Sequence, residues 1–182
     1  MCRTIFRFGR LWIPILLSLI SNVAMGQTNV LKLASAGFSE GQTIPEKYTC
    51  KGQNFSPSLN WNVGPRETKT YAVTCVDPDA PKGAWTHWVL YNIPDSVTEL
   101  PENISKVEAP PSGGRQLINS FKKMGYDGPC PPQGSAHHYI FKVYALDASL
   151  DLKPKATRSE FEHAINGHVL AQGQLMGIHQ RK

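Results

Sequence analysis

The chain has 182 residues, enough for one domain with a sizeable core. Its 41% hydrophobic content, with 15 Gly and 14 Pro, describes a turn-rich globular protein rather than a fibrous or disordered one. The formal charge is +5, but no cluster of basic residues makes the footprint a nucleic acid needs, and no nucleic-acid partner is expected.

Residues 1–26 stand apart. Arg3, Arg7 and Arg10 precede the apolar run Leu11 to Ile20, and Ala24-Met25-Gly26 puts small residues at the two positions a signal peptidase reads. A spanning helix needs about 20 apolar residues, whereas this run contains Pro14 and ends at Ser21-Asn22. The expectation is a secretory signal peptide over 1–26, a single domain over 27–182 beginning at Gln27, no transmembrane anchor after processing, and a periplasmic or secreted location. Loss of the three leader arginines leaves 16 of the 19 Lys and Arg against 14 acids, a charge of +2.

The alternation Val30-Leu31-Lys32-Leu33 predicts a first strand within 27–36. Residues 37–58 are punctuated by Gly41, Pro45, Gly52, Asn54 and Pro57, which predicts a long loop folded over a sheet edge. Leu59 and Trp61 restart a short alternation, and Gly64-Pro65 marks a turn. Two stronger strands follow. Tyr71, Val73, Cys75 and Asp77 share one parity, and His87, Val89, Tyr91 and Ile93 share another. Joined as antiparallel neighbours through the proline-bracketed loop 78–86, they place the Asp77 carboxylate near the His87 imidazole, with Trp85 at the rim.

Residues 94–114 have four prolines, polar composition and no sustained period, and predict a long surface connection. Arg115 to Met124 reads as a loop with a short helical turn. A third strong strand, from about His138 to Leu146, carries His137, Tyr139, Phe141, Val143 and Ala145 on one parity. A helix is predicted from the capping box Thr157/Glu160, with Phe161, Ala164, Ile165, His168 and Val169 at helical spacing and Gly173 as its stop. A last strand is predicted over 174–179. Short strands, long Pro/Gly connections and one helix indicate a mainly β, sheet-on-sheet domain.

Three cysteines follow the leader. Cys75 is mid-strand and reads as a small buried hydrophobe, whereas Cys50 (YTCKGQN) and Cys130 (GPCPPQG) lie in loop sequence. An oxidising compartment permits one pair, and Cys50–Cys130 is the predicted disulfide. No C-x-x-C or H-E-x-x-H spacing occurs, so neither a metal nor another cofactor is expected.

The blocks DPDAP with WTHWVLYNIP, GYDGPCPPQGSAHHYIFKVYALD and GQNFSPSLNW resemble, in order, signature blocks of the phosphatidylethanolamine-binding protein (PEBP) family, with the bacterial Raf kinase inhibitor-like branch the closer match. The resemblance runs over nearly all of the chain after residue 30. It implies a Greek-key fold with a large central antiparallel sheet, a smaller sheet and peripheral helices. It also implies a pocket for phosphate-like anions and phosphorylated head groups. The family's pocket positions fall on Asp77, Trp85, His87, the Pro131-Pro132 turn, His137 and Tyr139. Eukaryotic members have His-Arg-Tyr where this chain has His137-His138-Tyr139, and the preceding turn is a residue shorter here.

Two imidazoles, a phenol and the backbone N–H groups of the Pro-Pro-Gln-Gly turn are donors suited to an anion. Asp77 can orient an imidazole or receive an ammonium group. Asp77, His87 and Ser135 supply the residue types of a hydrolytic triad, yet there is no G-x-S-x-G elbow, and Ser135 beside Gly134 reads as a turn residue. A metal ion at Asp77, His87 and His137 is chemically conceivable but has no spacing signature. The expected function is a non-catalytic ligand-binding protein. The alternative is an interaction protein that inhibits a protease or another protein partner through the loops around the pocket.

Overall fold

The structure, a computed structural model, describes residues 30–153 and 155–182. The expected signal peptide and the start at Gln27 lie outside the described residues. Among the described residues a short 3-10 turn, Glu46–Tyr48, precedes seven strands and one helix: β1 Leu59–Asn60, β2 Thr70–Asp77, β3 Trp85–Pro94, β4 Glu99–Leu100, β5 Arg115–Gln116, β6 His137–Leu146, α1 Arg158–Ile165 and β7 Val169–His179. The order β5-β3-β2-β6-β7 makes a five-stranded antiparallel sheet, and β1 pairs with β4 in a small second sheet. β2, β3 and β5 are successive neighbours and β6 returns beside β2. That is the Greek-key order the resemblance implies.

Each face of the large sheet buries a cluster. The front cluster gathers Tyr71, Val73 and Cys75 of β2, Trp88, Leu90 and Ile93 of β3, and Tyr139, Phe141, Val143 and Ala145 of β6. It also holds Leu59 and Leu100 of the small sheet. The back cluster gathers Ala72, Val89, Tyr91 and Leu146 beneath Phe161 and Ile165 of α1. Residues 31–44 close the outer edge of β7. Leu31 donates its N–H to the Gln172 carbonyl (3.0 Å), Gly41 to that of Met176 (2.8 Å) and Ile44 to that of Ile178 (2.8 Å). An exposed strand edge is thereby paired.

Several expectations change. Residues 30–36 are extended but form only isolated bridges, Val30 to Gln172 and Ala34 to Asn60. Arg115 to Met124 contains β5 and an Ile118–Met124 bridge in place of a helical turn. The surface connection 94–114 includes β4, whose Leu100 is buried. The helix starts at the expected capping box but stops at Ile165. Gly167 there takes a left-handed φ of 82°, which a non-glycine residue adopts only at a cost. Beyond it the β-branched and small residues from Val169 onward pair with β6, so His168 and Val169 are not helical.

The parity of β3 also differs, because two bulges interrupt its pairing with β2. Tyr71 faces Ile93 but Val73 faces Leu90. Asn92, at φ 55°, takes up the extra residue, and its side-chain amide holds both the N–H and the carbonyl of Leu150. Further on, Cys75 faces Trp88 and Val76 faces Thr86, leaving His87 as an unpaired insertion. Each insertion flips the alternation. Val89 and Tyr91 therefore face the back, while Trp88, Leu90 and Ile93 face the front.

Candidate functional site

The end of β2, the start of β3 and the start of β6 meet on the front face. The bulge at His87 matters here: strict alternation could not put both His87 and Trp88 on the front, and the insertion does so. The imidazole lies edge-on to Tyr139 (centroids 5.1 Å) and to Phe121 (5.3 Å), and Phe121 is edge-on to Trp85 (5.3 Å). These rings wall a cavity of about 250 Å³. All seven residues singled out from the sequence, Asp77, Trp85, His87, Pro131, Pro132, His137 and Tyr139, line it. Ala80, Pro81, Lys82, Phe121 and Cys130 complete the lining. Ser135 is exposed and is not part of it.

The hydrogen bonds assign partners that strand pairing alone does not. His137 Nδ1 is 2.8 Å from Asp77 Oδ2, and the other Asp77 oxygen accepts the Asp79 N–H at 2.8 Å. Asp77 thus orients His137 and not its hairpin neighbour. His87 Nδ1 lies 2.6 Å from the Asp127 carbonyl. A carbonyl only accepts, so Nδ1 carries hydrogen and Nε2 is the nitrogen left for a ligand. Burial pushes the His87 imidazole below its ordinary value, against the smaller opposing pull of the Asp127 carbonyl and the Asp77 charge. Burial, reinforced by Asp77, raises the Tyr139 phenol well above its usual range. The Tyr139 hydroxyl and Trp85 Nε1 are both buried without a hydrogen-bond partner.

Asp79 and His138 lie outside the lining, next in sequence to Ala80 and His137, and Asp79 accepts from the His138 backbone N–H (2.8 Å) and pairs with its ring Nδ1 (2.7 Å). The backbone bond first, then the ring, hold the Asp79 carboxyl below its ordinary value. Asp127 anchors the site from behind. Burial opposes its charge, but Asn54 (2.6 Å), Asn119 (3.3 Å), Lys106 and Lys123 outweigh that and keep the carboxyl low. Asn119 in turn accepts the Phe121 N–H at 2.9 Å, which fixes the approach of that ring.

The 127–132 wall is tied to the loop at 48–54. Cys50 and Cys130 form the expected disulfide, with Cα atoms 5.4 Å apart, and Cys75 is a buried free thiol. Gly128 donates to Asn54 Oδ1 (2.7 Å), and Cys50 donates to the Pro129 carbonyl (3.1 Å). A Cβ at Gly128 would collide with the Tyr48 carbonyl, so the two segments approach this closely only with glycine there.

Sequence reasoning passed over Asp127 and Phe121. Asp127 stands inside the GYDGPCPP block, where only the prolines attract attention, and Phe121 lies in a stretch without period. Among the described residues no group of three or more His, Cys, Asp or Glu is placed to hold a metal ion, and no helix is long and apolar enough to cross a membrane.

A family model described as phosphatidylethanolamine-binding protein matches residues 34–180. A UPF0098 protein of Methanothermobacter thermautotrophicus is 44% identical over 151 residues, covering 83% of this chain and 99% of the relative. One from Aquifex aeolicus is 44% identical over 154 residues, covering 84% and 90%. Among solved structures, a PEBP homologue of Chlamydia trachomatis superposes with TM-score 0.76 at 35% identity, covering 85% of this chain and 99% of that one. An Escherichia coli protein described as a new member of the mammalian PEBP family gives 0.78 at 32% identity, covering 84% and 99%.

Proposed function

Because the chain belongs to the phosphatidylethanolamine-binding protein family, we propose that its front cavity binds a phosphate-bearing small molecule or a phospholipid head group such as phosphoethanolamine, without turning it over. The observation that carries this reading is the convergence of two imidazoles, His87 and His137, with the Trp85 and Tyr139 rings on one cavity. A phosphate offers oxygen acceptors to imidazole N–H donors, and the bond is stronger when the ring is charged. Asp77 does not oppose an anion as a bare charge would, since both its oxygens are already engaged. It remains able to receive the ammonium of an ethanolamine head group. The position of Ser135 outside the cavity supports binding over hydrolysis.

Calorimetry with inorganic phosphate and phosphoethanolamine tests the reading, with an ester and phosphoester hydrolysis screen alongside. His87→Ala should cost about 1.5 to 3 kcal/mol of affinity, the range for a hydrogen bond to a charged group. Equal affinity in wild type and variant removes the site. Turnover by wild type that is lost in the variant revives the enzyme.

Export is part of the proposal. The charged, then apolar, then small-residue order of residues 1–26 supports cleavage before Gln27, and the Cys50–Cys130 disulfide suits the oxidising compartment of a periplasmic or secreted protein. Intact-mass analysis of protein from the soluble extracytoplasmic fraction should give the mass of 27–182. A full-length mass in the membrane fraction refutes it.

A further inference from the structure

The back face of the sheet holds a second concavity, and the 78–84 loop separates it from the first. Ala80, Pro81 and Lys82 line the front cavity, whereas Pro78 and Ala84 line the back one, and no residue lines both. Strand register supplies its floor. Across β2 and β6, Thr74 faces Lys142 and Val76 faces Ile140, all four on the back side. Helix α1 has eight residues and packs through Phe161 and Ile165 against Ala72, Val89 and Leu146. Val76 and Ile140 are left half-buried beyond it, beside Tyr144 and Phe161, whose rings meet edge-on at 6.3 Å.

The cavity measures about 180 Å³. An apolar cavity of about 150 Å³ holds a benzene ring, so this one has room for a single ring or a short aliphatic chain. Its charges lie among apolar walls. The Glu162 carboxylate is bonded by Arg158 Nε at 2.7 Å, and half-buried Lys142 has no ion-pair partner among the described residues. A neutral hydrocarbon would desolvate that ammonium without compensation, and inorganic phosphate would leave the apolar floor wet.

We propose that this back pocket is a second binding site, for a small amphipathic carboxylic acid. The apolar body packs on Val76, Ile140 and Phe161, and the carboxylate pairs with Lys142. The site is independent of the phosphate-binding reading of the front cavity, so either can fail alone.

Amide-resolved NMR titration of the mature chain with benzoate, and separately with inorganic phosphate, tests it. Benzoate should give saturable shifts centred on Thr74, Val76, Ile140 and Lys142. Lys142→Met, which keeps the length of the side chain and loses the charge, should weaken benzoate at least tenfold. Val76→Phe, which fills the floor, should abolish binding while the rest of the amide spectrum stays dispersed. Benzoate shifts centred on Asp77 and His137, shifts that do not saturate, or affinity unchanged in both variants would overturn the proposal. Inorganic phosphate should leave the amides of Thr74, Val76, Ile140 and Lys142 unshifted, and saturable phosphate shifts there would overturn the carboxylic-acid reading.

Discussion

At the same end of the five-stranded sheet, the front and back faces are built with different degrees of constraint. On the front, every buried Asp and His has an assigned partner: Asp77 holds His137, the Asp127 carbonyl holds His87, and Asn54 and Asn119 hold the Asp127 carboxylate. A disulfide and a bulge secure the backbone that carries them. On the back, an eight-residue helix is held by two large apolar side chains and an exposed capping box, and its one ion pair among the described residues, Arg158–Glu162, is partly exposed at the rim of the back cavity. The contrast teaches that rigidity here follows the buried polar groups. A misplaced buried polar group costs its full desolvation, whereas a helix covering apolar surface tolerates small shifts.

The largest expected effect breaks the constraint on the front. Replacing Cys50 and Cys130 together by alanine opens a loop with a sequence separation of 80. The chain-entropy model assigns such a closure roughly 4 kcal/mol. Urea unfolding of the double variant should show a loss of that order, and phosphate affinity should fall as well, because Cys130 is part of the cavity wall. Stability equal to wild type would mean that the hydrogen bonds of the 48–54 loop hold the wall alone.

A smaller effect sharpens the contrast through pH. Burial lowers the folded-state pKa of His87 below its ordinary 6.5, so the unfolded chain takes up its proton first as pH falls. Stability should therefore decline as pH drops below about 6.5 and level off only below the folded pKa. Phosphate affinity should run the other way, rising as His87 gains its proton and falling as pH is raised through its titration. His87→Ala should flatten that profile along with losing about 1.5 to 3 kcal/mol of affinity. Calorimetry across pH 5 to 8 reads this, and an unchanged profile in the variant would place the titrating group elsewhere.

How much of this was legible in the sequence follows from the range of each interaction. β6 was readable because His137, Tyr139, Phe141, Val143 and Ala145 keep strict period two, and all five are buried. The capping box was readable because Thr157 and Glu160 are three residues apart. The Asp77–His137 pairing spans 60 residues and depends on the β2–β6 register, which no local pattern encodes. The bulges at His87 and Asn92 hid the true faces of β3, since inserted residues carry no composition signal of their own. The helix end was misjudged because His168 and Val169 continue a helical spacing, and only the left-handed Gly167 and the pairing partners on β6 decide for a strand. Family resemblance supplied the convergence of the site residues on one pocket, which alternation by itself does not give.

The smallest predicted effect tests the weakly held back face. Thr157 Oγ1 accepts the Glu160 N–H at 3.2 Å, and the Glu160 carboxylate accepts the Thr157 N–H at 2.7 Å, so two donors at the helix start depend on this pair. Thr157→Ala removes the first bond and should cost about 1 kcal/mol, typical of a lost N-cap. Because α1 reaches the back cluster through Phe161 and Ile165 and contributes nothing to the front cavity, the loss should appear in the unfolding midpoint and leave phosphate affinity unchanged. Paired urea unfolding and phosphate calorimetry on the one variant separate the faces. A fall in phosphate affinity with Thr157→Ala would show that strain at the helix crosses the sheet, and that the two faces are mechanically coupled.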